Sequence, residues 1–529
     1  MPSTCALSPV LRPLRMNVFR KWGELMVLSL ALAIIIIDST LLNVSLSTLI
    51  RDLDTTLQKL QWVISAYSLI LAALTVTGGR MGDLFGRKRM FMTGAVVFVV
   101  GAVIASVSRS FGVLLLGESI IEGIGAALMM PSTAALLVAK YRGHDRAVAF
   151  GIWGSVAAAA SAIGPVLGGF LTTHYSWRWG FRINVAVVAV LLVGSRLIDD
   201  AHDEREKKID WLGVLLSSLG LFLVVFGIIE SESYGWLRAH EPFPLWQPGP
   251  FSIAPVALLA GVAVVAVFCV WEWRMEARGG TPIVSMHLFR NSEFVAGAGV
   301  IGVLMLAQNG VIFSLPVFLQ SVKRLDALHT GLTLFPMSLM LLIVSPLAAK
   351  FSKRIAHKRL VQTGLALNAI AIVALRFTLD RPTPALALYG VGLGLVLSQI
   401  TNLALSAVPV RDAGEASGVI NTFRQIGISL GTATIGAVLI STIVVRLGAA
   451  VPPQSKPAVA KILNANAAEL AFGESGAIRK LPPSIATLRG PATTAGIQRA
   501  LLWCALFALL GLGVSTFLPL RPQGDNRGS

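Results

Sequence analysis

Three carboxylic acids stand inside long apolar runs of the chain. Asp38 ends the isoleucine run of IIIIDSTLLNVSL, and Glu118 and Glu122 interrupt LLLGESIIEGIGAALMMP. An ionisable side chain in hydrocarbon is expensive, so one that persists there is a functional hypothesis by default. The chemistry open to such a carboxyl is proton exchange, because a poor dielectric favours its neutral form whereas water or a nearby cation favours the charged one. Glu118 and Glu122 are four residues apart, which places them on one helical face. Two carboxyls so close should titrate as a pair and hold at least one proton between them near neutrality. These three acids are the candidate proton-coupling set. In the second half of the chain one base is placed comparably: Arg424, beside Gln425 and three residues after Asn421. A charge there needs a partner: Asp38 or the two glutamates are candidate counter-ions, and a cytoplasm-facing arginine bonded to helix ends is the alternative. Asn43, Trp153, Gln308, Asn309, Gln399 and Asn402, together with Asn421, are further candidates to line a cavity.

Nothing else offers catalysis. The sequence has no nucleophile elbow, no phosphate-cradling loop and no metal-ligand spacing, and a nucleotide-driven pump would need a soluble domain that no stretch supplies. An enzyme is therefore not expected, nor is a metal or other cofactor. Cys5, Cys269 and Cys504 are an odd number scattered through a tail and apolar runs, which suits small apolar fillers better than a disulfide framework. The formal net charge of +17 could suggest nucleic acid, but the 44 Lys and Arg residues lie mostly in short connectors between hydrophobic runs. Membrane topology explains them better.

The elements that must hold these acids are membrane helices. Of the 529 residues 55% are hydrophobic and 13% charged, and continuous apolar stretches near the twenty residues needed to cross a bilayer recur throughout. A membrane β-barrel would instead alternate over segments of about ten residues. The fold class expected is all-α and polytopic, with fourteen spans. Residues 1–21 read as a basic tail before an uncleaved first helix. With both termini on the cytoplasmic side, the cytoplasmic connectors hold 26 Lys and Arg against 10 in the short outer loops, as the positive-inside rule requires. The chain divides into an N-terminal six-helix bundle over 1–199, two inserted transmembrane helices over 200–283, and a C-terminal six-helix bundle over 284–529. A long, proline-flanked outer loop is expected at about 443–496, with one or two short helices of its own.

One connector is distinctive. GGRMGDLFGRKRM, from Gly78 to Met90, is a glycine-punctuated basic turn between the second and third spans. Its Gly79, Asp83, Gly86, Arg87 and Lys88 keep the spacing G-x-x-x-D-x-x-G-R-K, which resembles the loop between the second and third helices of the major facilitator superfamily. SPLAAKFSKRIAHKR, from Ser345 to Arg359, holds the equivalent place after the tenth span, with Lys353 where Asp83 stands and Ala356 where Gly86 stands. This weak repeat pairs spans one to six with nine to fourteen. Asp83, near a helix end, can pair with Arg87 or another base in one conformation and so serve as a latch. Gly79 and Gly86 would permit close approach and a sharp turn.

Other motifs narrow the resemblance. The first span is similar to the D-x-T-x-x-N-V-x-L signature of drug/proton antiporters, with Ser47 in place of its usual final proline. In the fifth span Gly164, Pro165, Gly168 and Gly169 give G-P-x-x-G-G, like the antiporter motif of the superfamily's exporters. SWRWGFRINV, SLPVFLQ and AGEASGVINTFRQIGISLG add matches to the fourteen-helix drug/proton antiporter branch. The fourth span departs from the pattern: where the family's segment carries arginine and glutamine, this chain has Ser119 and Glu122. The resemblance implies two six-helix bundles plus two extra central helices. It also implies export of amphipathic, often cationic, drugs or toxic compounds across the cytoplasmic (inner) membrane in exchange for protons. An exporter of an anionic or neutral metabolite or lipid is the alternative within transport, and a transporter-like sensor or an assembly partner of an outer-membrane conduit the alternative outside it. The expected partners are a small amphipathic substrate, protons and the lipid bilayer, with no nucleic acid and a monomeric chain.

Overall fold

The computed structural model describes residues 11–55, 57–199, 210–234, 237, 252–280, 282–325, 327–352, 354–409, 412–451 and 483–521. Among them are fourteen helices long and apolar enough to cross a membrane. Only a helix or a closed barrel satisfies every backbone amide without water, so uninterrupted apolar runs take this form. In order they are α1 (Leu11–Asp52), α2 (Leu57–Phe85), α3 (Arg87–Ser106), α4 (Phe111–Lys140), α5 (Gly143–His174), α6 (Arg178–Gly194) and α7 (Trp211–Tyr234). There follow α8 (Ile253–Ala277), α9 (Ser292–Ser321), α10 (Ala327–Phe351), α11 (His357–Phe377), α12 (Thr383–Ser406), α13 (Ala413–Ala449) and α14 (Arg489–Val514). They form an all-helical, multi-pass membrane fold of two six-helix bundles, α1–α6 and α9–α14, with the α7–α8 pair between them in sequence.

Two differences from the sequence expectation have plain causes. The stretch from Gly78 to Met90 is mostly helix: α2 continues through Phe85 and α3 begins at Arg87, so the turn contracts to Gly86, whose φ of 101° suits a residue without a side chain. The long connector before α14 is shorter than expected, because α13 continues to Ala449 and α14 begins at Arg489. Pro491 is tolerated there because the first turn of a helix needs no N–H from it. One of the short helices foreseen in that connector is present at Pro483–Ala486; the apolar stretch 458–471 and Lys353 lie outside the described residues.

The bundles meet along a seam where α2 and α4 face α13, and α5 faces α10 and α12. At the end that carries the Gly86 turn the approach is backbone to backbone. A Cβ on Gly79 would stand 2.4 Å from the Gly414 carbonyl oxygen, and one on Gly418 2.9 Å from the Val76 Cα. The inserted pair packs on this seam, α7 against α2 and α13, while Leu215 and Leu219 of α7 and Leu259 and Val262 of α8 remain exposed, as lipid-facing residues should.

A strap at 283–286 ties the insert to the second bundle, and each of its four consecutive amides donates to a carboxylate. Ile283 N and Val284 N donate to Glu272 Oε2 (2.8 and 3.3 Å), Met286 N donates to Glu276 Oε2 (2.9 Å), and Ser285 N donates to Glu415 Oε1. Glu272 and Glu276 belong to α8, Glu415 to α13. Buried amides demand acceptors, and in this strap side chains answer them.

Candidate functional site

The fourth span is not α-helical throughout. Its Leu115–Glu122 segment is a π-helix, in which N–H groups bond five residues back. Close packing accompanies it, since a Cβ on Gly101 of α3 would meet Glu122 N and Gly117 O at 2.6 Å, and one on Gly117 would meet Ala105 N at 2.7 Å. Glu118, Ser119 and Glu122 are buried on this wider turn, and Ser119 Oγ donates to Val63 O of α2 at 2.7 Å. Across from them α1 presents Asp38. Its placement follows from the glycines of α5: a Cβ on Gly164 would lie 1.9 Å from Thr40 Oγ1, and one on Gly168 3.0 Å from Leu41 O. Gly164 and Gly168 therefore let α5 seat directly on the residues after Asp38. Gly169 is partly exposed beside them, and Pro165 continues the same helix.

The structure brings Asp38, Glu118 and Glu122 together, with one carboxylate oxygen from each lying within 4.8 Å of the other two. All three side chains are buried. Asn184 of α6 donates its Nδ2 hydrogen to Asp38 Oδ1 at 2.5 Å, while Asp38 Oδ2, Glu118 Oε2 and both oxygens of Glu122 are enclosed without a hydrogen-bond partner. The Tyr67 hydroxyl, also enclosed and without a partner, is within electrostatic reach of all three acids. No lysine or arginine among the described residues pairs with any of them. Three negative charges at this spacing cannot persist in low dielectric without compensation. The cluster can hold shared protons, or one small cation at the centre of its oxygens.

At the Gly86 end a second set of buried acids is arranged differently. Asp83 Oδ1 accepts from Arg87 Nε (3.0 Å) and Nη2 (2.8 Å), and its Oδ2 accepts from the backbone N of Glu415 in the first turn of α13 (2.9 Å). Arg87 Nη1 also donates to Ala135 O at 3.3 Å, and Lys88 Nζ to Ile198 O at 2.8 Å. Arg80 of α2 approaches Glu415 at 3.6 Å. The first bundle is thus bonded to the start of α13 through a carboxylate, which a helix N-terminus favours.

With that geometry in place, the family can be assigned. The family model described as Major Facilitator Superfamily matches residues 28–432. The chain belongs to the major facilitator superfamily. Within it, the protein is 31% identical over 431 residues to a chain named probable actinorhodin transporter from Streptomyces coelicolor, covering 79% of this chain and 72% of that one. It is 30% identical over 445 residues to multidrug resistance protein Stp of Mycobacterium tuberculosis, covering 82% and 80%. Relatives of this kind place the facilitator in the fourteen-helix drug-efflux family. The solved structure of human organic anion transporter MFSD10 aligns over 94% of this chain and 99% of that one with a TM-score of 0.59 at 13% identity, a likeness of fold alone. The facilitator is a transporter of small molecules and not an enzyme.

The remaining candidates separate into packing and open groups. Asn309 Nδ2 donates to Ile428 O (3.1 Å) and to the Thr432 hydroxyl, a link between α9 and α13. Asn421 Nδ2 donates to Ser417 O at 3.0 Å, and Gln399 Nε2 to Ser398 Oγ at 3.1 Å. The carbonyl oxygens of Gln308, Gln399, Asn402 and Asn421 are enclosed without donors. The side chain of Asn43 lies outside the described residues. Of the two placements open to Arg424, the acidic counter-ion is not seen: it pairs with neither Asp38 nor the glutamates, and its guanidinium stands 6.0 Å from the centroid of the Trp153 ring. The reason is depth, since Arg424 sits eleven residues into α13, about 16 Å from the Gly86 end at 1.5 Å per residue. The acids lie toward the opposite end. Sequence reasoning gave no role to Asn184, Tyr67, Arg80 or Glu415. Asn184 stood in plain view in RINV, but its partner is 146 positions away in the chain.

Proposed function

We propose that this facilitator is a proton-coupled antiporter that exports amphipathic small molecules across the cytoplasmic membrane, with both termini and the Gly86 turn on the cytoplasmic side. The observation that carries this reading is the buried cluster of Asp38, Glu118 and Glu122, with no cationic partner among the described residues. Its charge is balanced by protons, so opening the cluster to water on one side and enclosing it again moves protons with the conformational cycle. No cofactor is needed, because the proton gradient supplies the driving force. The names of the relatives, which include multidrug resistance and export proteins, support the direction of transport.

Asp83, Arg87, Lys88 and the first turn of α13 act as the cytoplasmic latch, with Gly79 and Gly86 permitting the close approach and the turn. Hydrogen bonds to charged groups contribute roughly 1.5–3 kcal/mol each, enough to bias a two-state element. The acids taken alone favour a cationic substrate, the class implied by the sequence resemblance. They are, however, buried among closely packed helices.

The test is transport by purified protein in vesicles with an imposed pH gradient. Glu122→Gln should abolish proton movement on substrate addition while substrate binding survives. Unchanged coupling in that variant would remove Glu122 from the mechanism.

A further inference from the structure

Near the middle of the seam two hydrogen-bond donors face the same region from opposite bundles, and neither has an acceptor. Arg424 comes from α13 and Trp153 from α5, with the guanidinium carbon 6.0 Å from the ring centroid. Arg424 Nε and Trp153 Nε1 are each enclosed without a hydrogen-bond partner, and Trp153 is only 3% exposed. Among the described residues no carboxylate forms an ion pair with Arg424. The acids that might have reached it are committed elsewhere: Asp38, Glu118 and Glu122 to one another, Asp83 to Arg87, and Glu415 to Arg80 and the strap.

A guanidinium cannot escape burial by losing its proton, so it stays charged and needs a negative partner. An aromatic face relieves part of that need and supplies no acceptor. Two orphaned donors, one cationic, describe the complement of an anionic oxygen. We propose that Arg424 and Trp153 form the subsite for an acidic group on the exported compound, so that the preferred substrates are amphipathic organic acids and not cations. This rests on the export reading above and specifies its substrate class. A compound bound here touches both bundles at once, and its acidic oxygen is what joins α13 to α5. Discrimination should be strong, since a ligand without that oxygen leaves both donors unpaired.

Three matched probes decide the matter in proteoliposomes under a pH gradient: pyrenebutyrate, its neutral amide, and the pyrenebutyl ammonium ion. The wild type should transport the carboxylate with a KM at least tenfold below that of the other two. Arg424→Gln should raise the carboxylate KM about tenfold or more and leave the amide KM in place, Arg424→Lys should recover part of the loss, and Trp153→Phe should cost a few-fold for the carboxylate alone. A wild-type preference for the ammonium ion, or an Arg424→Gln effect equal on all three probes, overturns the acidic-substrate proposal while export stands. Absence of both transport and proton movement with every probe overturns export and the proposal together. Because the wild-type comparison needs no variant, misfolding of Arg424→Gln would not shield the idea.

Discussion

The first bundle and its seam contain two sets of buried carboxylates whose surroundings differ. Asp83 and Glu415 are met by Arg87, Arg80 and backbone amides, whereas Asp38, Glu118 and Glu122 are met by one another and a single amide from Asn184. In the first set fixed charges and dipoles of the protein compensate the acids, so their energy depends on whether two helices are together. Among the described residues no fixed charge compensates the second set, so on the reading proposed above its energy depends on what is bound. On the function proposed above, the same residue type acts as a fastener in one place and as a receptor for protons in the other.

Removing acids from the receptor set should do the most damage. Asp38→Asn is expected to lower pH-driven transport about a hundredfold or more, the range for losing a proton-transfer group, with proton uptake in vesicles as the readout. Retained coupling would erase the distinction between the two sets. Asp83→Asn should slow turnover about tenfold, equivalent to roughly 1.4 kcal/mol of lost closure, without changing protons moved per substrate. A changed proton ratio would show that the fastener also titrates.

Glycine replacements probe the fastener's geometry. Gly86→Ala places a side chain at φ 101° and should cost about 1–2 kcal/mol, seen as a lowered melting temperature and slower turnover. Ala356→Gly, at the equivalent point of the second bundle where φ is an ordinary −57°, should leave turnover unaltered. Equal effects would mean the latch is symmetric after all. The smallest effect is expected at the exposed Lys323–Asp380 pair, where Lys323 holds the Asp380 carboxyl below the usual aspartate range. Any stability it gives is present above the ordinary pKa of about 4 and fades as pH falls through the depressed value. Asp380→Asn should leave the melting temperature unchanged at neutral pH, because water screens so exposed a pair.

Much of this was legible in the sequence, for reasons of scale. Fourteen spans show because hydrocarbon imposes a length and a composition on every helix, and Asp38, Glu118 and Glu122 show because acids there are costly. The π-helical turn that sets the two glutamates did not show, since it accompanies packing by Gly101 of another helix and has no local signal. Nor did the reach from Asp83 to Glu415, 332 positions away, or the lack of an acid opposite Arg424. Pairing across bundles is a property of depth, and depth depends on where each helix sits in its own span.

The strap at 283–286 bears on whether the two central helices could be dispensed with. Two helices inserted between two bundles look removable, as a cassette would be. Excising α7 and α8 would take Glu272 and Glu276 with them and leave the amides of Ile283, Val284 and Met286 without acceptors, at about 1–3 kcal/mol for each that stays buried. The pair is thus a dependency and not an accessory: three of the four amides on which the second bundle begins are answered from α8, and a twelve-helix version would need that junction rebuilt.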